Sequence, residues 1–142
     1  MILPEADLAA AIPRRQFASL DAALKYFHHR LLGDGWRLPT DDEWRRMAKH
    51  YGGLLEDSAD GAKAAYRALV IGGTSGFSAM LGGSRGSDGR YDRLEAHGFY
   101  WTASNNGSAS ARFYNFGKGG QALSRHGQGE NQMAASVRCI KE

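Results

Sequence analysis

Gly35-Trp36-Arg37-Leu38-Pro39-Thr40-Asp41-Asp42-Glu43-Trp44 spells out the entry to a helix. Thr40 is a favoured N-cap. Glu43 stands three residues on, where a capping box needs a carboxylate to reach back to the cap's own N–H. The helix is therefore predicted to start at Asp41. Asp41, Asp42 and Glu43 put negative charge on its first turn, while Arg45, Arg46, Lys49 and His50 put positive charge toward its last, both as the macrodipole favours. Gly52 and Gly53 end it. Trp44, Met47, Ala48 and Tyr51 recur at helical spacing and give the helix one apolar face for a core. Near the other end, Ser136-Val137-Arg138-Cys139-Ile140-Lys141 closes the chain on a short strand, so that the two stretches bracket one compact fold.

Working outward, residues 1–18 form a lead. Leu20, Ala23, Leu24, Phe27 and Leu31 then repeat at helical spacing behind Ser19, with Gly33-Asp34-Gly35 as the stop. His28 and His29 are adjacent and point to different sides of such a helix, which prevents them from sharing one metal. Asp60 to Leu69 is Ala-rich and reads as a short helix. Phe77, Ala79 and Leu81 alternate with Ser78 and Met80, the pattern of a short strand ending at Gly82-Gly83. Ser84 to Asp92 reads as a polar turn or hairpin loop, because Asp88-Gly89 supplies the residues tight turns require.

From Gly98 onward the pattern is β. Phe99 to Ala103, Ala111 to Phe116, Gln121 to His126 and Ala134 to Ile140 are strand candidates separated by Asn-, Gly- and Ser-rich loops. Trp36, Leu38, Trp44 and Trp101 are expected in the core or at its edge. The 142 residues, 42% hydrophobic and 23% charged, suit a single domain spanning 1–142 with an ordinary core, and nineteen glycines against three prolines imply many tight turns.

Four of these segments resemble a known family. Trp36-Arg37-Leu38-Pro39-Thr40 with Glu43-Trp44, Ser75-Gly76-Phe77-Ser78-Ala79 with Gly82-Gly83, Gly98 with Tyr100-Trp101-Thr102-Ala103-Ser104, and Ser136-Val137-Arg138-Cys139 are similar to the Fibrobacter succinogenes major paralogous domain. That domain belongs to the C-type lectin-like group that includes formylglycine-generating sulfatase-modifying factors and the variable proteins of diversity-generating retroelements. The resemblance implies an α+β, C-type lectin-like fold, two helices packed on a twisted antiparallel sheet with long Gly-rich loops. It also implies that Tyr100-Trp101 and Ser136 to Cys139 hold a frame while the β-rich region between them, within 99–140, varies under adenine-directed mutagenesis.

The residue types of that region suit binding. Aromatic rings mixed with adaptable hydrogen-bonding groups are the composition of paratopes, and Tyr100, Asn105, Asn106, Ser108, Phe113, Asn115, Arg125, His126, Gln128 and Asn131 are the expected ligand-binding residues. Alternation puts Arg112, Tyr114 and Phe116 on one face of their strand and Phe113 and Asn115 on the other, with the second pair expected outward. The expected function is a non-enzymatic receptor-binding or display module of a phage or bacterium, taking a protein or glycan ligand on a target surface; a homo-oligomer is left open. The alternatives are a divergent formylglycine-generating-like oxidoreductase and a structural accessory domain.

Catalysis finds little footing. Formylglycine-generating oxidases hold copper with a cysteine pair, and Cys139 stands alone. No Gly-x-Ser-x-Gly, His-Glu-x-x-His or phosphate-loop motif occurs, so neither metal nor cofactor is expected. Calcium is not expected at Asp88 and Asp92, which lack the alternation and closing glutamate of an EF-hand, and the Glu-Pro-Asn and Trp-Asn-Asp signatures of sugar-binding lectins are missing. A net charge of +3, with acidic residues interspersed among basic ones, gives no basic stripe for nucleic acid. No apolar run approaches the roughly 20 residues that span a bilayer, and Glu5 and Asp7 stand where a signal peptide wants a basic end.

Overall fold

The computed structural model describes residues 35–105, 110–130 and 133–141. The helix expected from Leu20 to Leu31, with His28 and His29, lies outside them. The described residues are α+β, with two helices and small antiparallel sheets. They fall in two units. Leu38–Arg138 is the larger; residues 35–37 and 139–141 belong to the smaller.

In the smaller unit, β1 (Trp36–Arg37) and β7 (Ile140–Lys141) pair antiparallel, Trp36 opposite Lys141 and Arg37 opposite Ile140. Trp36 is half-buried.

In the larger unit, α1 (Asp41–His50) begins where the capping box places it. The Glu43 N–H donates to Thr40 Oγ1 at 3.2 Å, and the Thr40 N–H donates to Glu43 Oε2 at 2.8 Å, satisfying two helix-end donors reciprocally. At the other end the Gly53 N–H donates to the Ala48 carbonyl at 2.8 Å. Gly52 has φ +125, and a Cβ there would meet Ala64 Cβ at 2.9 Å, so only glycine lets the chain pass so close to α2 (Lys63–Leu69). That second helix is shorter than the Asp60–Leu69 expected, because Asp60 and Ser58 act as acceptors at its entry: Asp60 Oδ2 takes the Ala64 N–H at 2.8 Å, and Ser58 Oγ takes that of Ala62.

The stretch Phe77 to Leu81 is not a strand. Ser78 has φ +55, which breaks the extended path, and only Ala79 bridges to Val70. The loop from Ser84 to Asp92 is a hairpin, β2 (Ser84–Arg85) against β3 (Tyr91–Asp92), with Asp88 Oδ1 accepting the Arg90 N–H inside the turn.

The main sheet is β4 (His97–Asn105), β5 (Ser110–Gly117) and β6 (Ala122–Glu130), antiparallel in that order. Each strand starts or ends beyond the apolar residues that announce it, since ladder pairing carries through neighbouring polar positions. The strand expected over Ala134–Ile140 is divided. Ala134 bridges to Arg85, Ser136 runs parallel beside Tyr100, and only Ile140–Lys141 is a named strand. Arg138 explains part of the break, donating to the Phe77 carbonyl and lying 4.5 Å over the Phe77 ring.

The core lies between the two helices and one face of this sheet. Trp44, Ala48, Leu54, Ala65, Tyr66, Leu69, Ala79, Tyr100, Tyr114, Phe116 and Leu123 are buried together. Trp44 stacks on Tyr114 with centroids 4.9 Å apart and planes 14° apart, and meets Phe77 edge-on at 5.6 Å. Its indole Nε1 is buried without a hydrogen-bond partner. Leu38 and Trp101 are buried as expected.

Removing the ring and removing the N–H should therefore differ. Trp44→Ala is expected to destabilise by about 3–5 kcal/mol. Trp44→Phe keeps much of the stack and removes an unsatisfied donor whose burial costs about 1–3 kcal/mol, so it should lose less than half as much. Urea unfolding of both variants checks this; equal losses would contradict it.

Candidate functional site

Strand alternation sorts the sheet into two faces. Tyr100 pairs with Tyr114, and Tyr114 with Arg125; Gly98 pairs with Phe116, and Phe116 with Leu123. These rows look toward α1 and α2. The opposite face carries His97, Phe99 and Trp101 from β4, Phe113 and Asn115 from β5, and Ser124 and His126 from β6.

The inner face holds a charge network. Asp41, the first residue of α1, is buried. Arg125 grips both its oxygens, Nε to Oδ1 at 2.7 Å and a terminal nitrogen to Oδ2 at 2.8 Å, the bidentate geometry that suits guanidinium and carboxylate. Tyr114 donates its hydroxyl to Oδ1 at 3.0 Å, and Arg112 approaches Oδ2 at 3.7 Å. Burial opposes the charge on Asp41, but the hydrogen bonds from Arg125 and Tyr114 outweigh it and hold the carboxyl below its ordinary range. Burial and the neighbouring carboxylate push the Tyr114 hydroxyl far up, so it remains a donor at all ordinary pH. Tyr100 is equally committed: its hydroxyl accepts from the Met80 N–H and donates to the Met80 carbonyl, both at 2.8 Å. Gly98 allows that approach, since a Cβ there would meet the Met80 oxygen at 2.4 Å.

The outer face is an aromatic ladder edged by polar groups. His126 stacks on Phe113 at 4.7 Å, and Phe99 and Trp101 each meet Phe113 edge-on at 5.8 Å. His97 Nδ1 and Asn115 Oδ1 are 2.9 Å apart, and Ser124 Oγ and His126 Nε2 are 3.2 Å apart. His126 is exposed on its free side, while burial on its stacked side lowers its pKa. The ladder is irregular toward the loops. Pairing jumps from Trp101 opposite Phe113 to Asn105 opposite Ala111, and β6 carries an extra residue between His126 and Gly129. Bulges of this kind re-aim side chains at sheet ends.

The expected ligand-binding residues thus separate. Asn115 and His126 share the outer face. Phe113 is on that face as expected, yet is only 9% exposed and packs as a ring platform. Tyr100 and Arg125 point inward and hold the frame. Asn105 and Gln128 lie in β4 and β6, with only their backbone described. Asn106, Ser108 and Asn131 lie outside the described residues. Sequence reasoning took Asp41 for a helix-dipole charge and overlooked it as the anchor of Arg125. A signal was present: Asp41, Trp44 and Ala48 stand at helical spacing on one face, and Arg125 follows the buried Leu123 by two.

Burial raises the pKa of Cys139, leaving a thiol rather than a reactive thiolate. Among the described residues no group of three or more His, Cys, Asp or Glu is placed to hold a metal ion, and no helix is long and apolar enough to cross a membrane.

Fold and site together define an α+β domain with a polar and aromatic sheet face on a clamped core. The model of the Fibrobacter succinogenes major domain matches residues 26–141, and the chain belongs to that family. Neither a curated protein nor a solved structure matches it.

Because the Asp41 carboxyl is more acidic folded than unfolded, its ionisation stabilises the fold at neutral pH. That contribution fades as pH falls below the ordinary aspartate value of about 4. Asp41→Asn should cost about 3 kcal/mol at neutral pH by leaving Arg125 unpaired. It should also flatten the acid limb of a stability-against-pH curve, measured by urea unfolding at stepped pH; an unchanged limb would refute the role.

Proposed function

We propose that the chain is a C-type lectin-like, non-enzymatic ligand-binding module whose outer sheet face and adjoining loops take a protein or glycan on a target surface. We further infer that this face is diversified by a retroelement and displayed on a virion or cell. The supporting observation is the division of labour across β4–β6. Arg125 and Tyr114 are bound to Asp41 and Tyr100 to Met80, whereas Asn115, Ser124 and His126 bond within the outer face. A clamped inner side allows the less buried outer positions, Asn115, Ser124 and His126, to change without unfolding the domain. Tyr, Arg and Trp are common binding hot spots, but here Tyr100 and Arg125 are held by inner-face bonds and Trp101, on the outer face, is buried against Phe113, so recognition falls to His126, Asn115 and the loop residues.

A displayed library randomised at Asn105, Asn115, Ser124, His126 and Gln128 should yield mostly folded variants, with stability shifts near 0.5 kcal/mol at exposed positions, and should change which members of a glycan and surface-protein array are captured. Randomising Tyr100 and Arg125 should instead deplete folded protein. The reading fails if the first library mostly unfolds, or if its folded members all bind as the parent does. Diversification is tested separately in the flanking DNA: a reverse transcriptase and a near-copy of the Tyr100–Cys139 coding segment differing at adenines are expected there.

A further inference from the structure

The side of α1 away from the sheet carries a second feature. Trp44 and Ala48 turn inward, which leaves Asp42, Arg45, Arg46 and Lys49 exposed on the opposite side. Together with Thr40, Gly52, Gly53 and Asp57 they line a cleft of about 860 Å³, within the range of small-molecule sites. Among the described residues the ion pairs engage Arg90, Arg93, Arg112 and Arg125, and none engages Arg45, Arg46 or Lys49. Arg45 and Lys49 stand four apart on the helix, where like charges repel. Asp42 and Arg46 also stand four apart, where an ion pair is expected, and make none.

Of the other polar residues described in the lining, Asp57 and Thr40 each have a partner. Asp57 Oδ1 accepts the Leu54 N–H at 2.7 Å and so shapes the loop after the helix, and Thr40 is held in the capping box. Among the described residues the cleft thus offers a ligand three cations that make no ion pair, set against the two carboxylates of Asp42 and Asp57. Guanidinium forks match carboxylate and phosphate oxygens, and the ammonium of Lys49 adds a point charge beside them. Asp42, an acceptor when ionised, suits hydroxyl donors.

We propose that this cleft binds an anionic, hydroxyl-bearing small molecule, a sugar carrying a carboxylate or a phosphate, with the anionic group at Arg45, Arg46 and Lys49 and the hydroxyls toward Asp42. The site is separate from the outer sheet face and does not depend on its function.

Calorimetric titration of the full chain at low ionic strength with D-glucuronate, glucose 6-phosphate and glucose tests it. At least one anionic sugar should bind roughly tenfold or more tightly than glucose, and added salt should weaken it. Tighter glucuronate assigns a carboxylate ligand, and tighter glucose 6-phosphate a phosphate ligand. The R45Q/K49Q variant should lose that advantage while remaining folded, because the repulsion it relieves offsets the helix-dipole charge it removes, and H126A should keep it. On the unaltered protein, amide resonances within 45–53 should move during the titration, a readout that needs no variant. Binding of the anions no tighter than glucose overturns the proposal, as does retention of binding by R45Q/K49Q or a shift pattern confined to the sheet.

Discussion

The Asp41 carboxylate is the joint on which this domain turns. It is the first residue of α1, yet its bonds reach β5 through Tyr114 and β6 through Arg125. A buried carboxylate is costly unless hydrogen bonds and an opposite charge meet it, and here they do. The arrangement carries direction as well as attraction. A bidentate pair accepts little rotation, so it sets how α1 lies on the sheet, and one turn later Trp44 stacks on the same Tyr114 whose hydroxyl Asp41 receives. Polar and apolar contacts therefore share one ring, and moving either disturbs both.

That joint depends on a local event. Thr40 and Glu43 decide that the helix begins at Asp41, and this start sets the phase in which Asp41, Trp44 and Ala48 all face the sheet. A start one residue later would rotate the helix by about 100° and turn the carboxylate away from Arg125. The capping box thus does more than satisfy helix-end donors: it sets the register between a helix and a sheet more than seventy residues away in sequence.

Local signals in the sequence were read correctly where short-range physics decides. The capping box, the Gly52-Gly53 stop, the Asp88-Gly89 hairpin and the alternation of β4 to β6 each depend on residues a few positions apart. Reading failed where distant partners decide. The alternation of Phe77, Ala79 and Leu81 looked like a strand, but Ser78 turns the backbone and Tyr100, twenty residues on, fixes Met80 instead. Phe113 and Asn115 were correctly placed opposite Tyr114, but alternation alone could not tell that Phe113 would be roofed by His126 and flanked by Trp101. Arg125 counts by composition among the adaptable hydrogen-bonding groups of a binding region, and its pairing with Asp41, eighty-four residues away, is invisible to composition, although Leu123 two residues before it marks the inward face.

The separation of frame from face has a physical cause in the pleat itself. Successive residues on β5 and β6 alternate between the clamp and the outer surface, so Tyr114 and Arg125 are immediate neighbours of Asn115 and His126 while pointing the opposite way. A change at one of these outer positions meets the backbone ladder, which accepts most side chains, and a ring platform of Phe113 whose own packing is with other rings. A change one residue along meets a buried charge. Asn115 and His126 can therefore change on a rigid domain, because the buried charge lies one residue along, on the inner side, whereas the outer rings of Phe99, Trp101 and Phe113 are themselves buried and costly to alter.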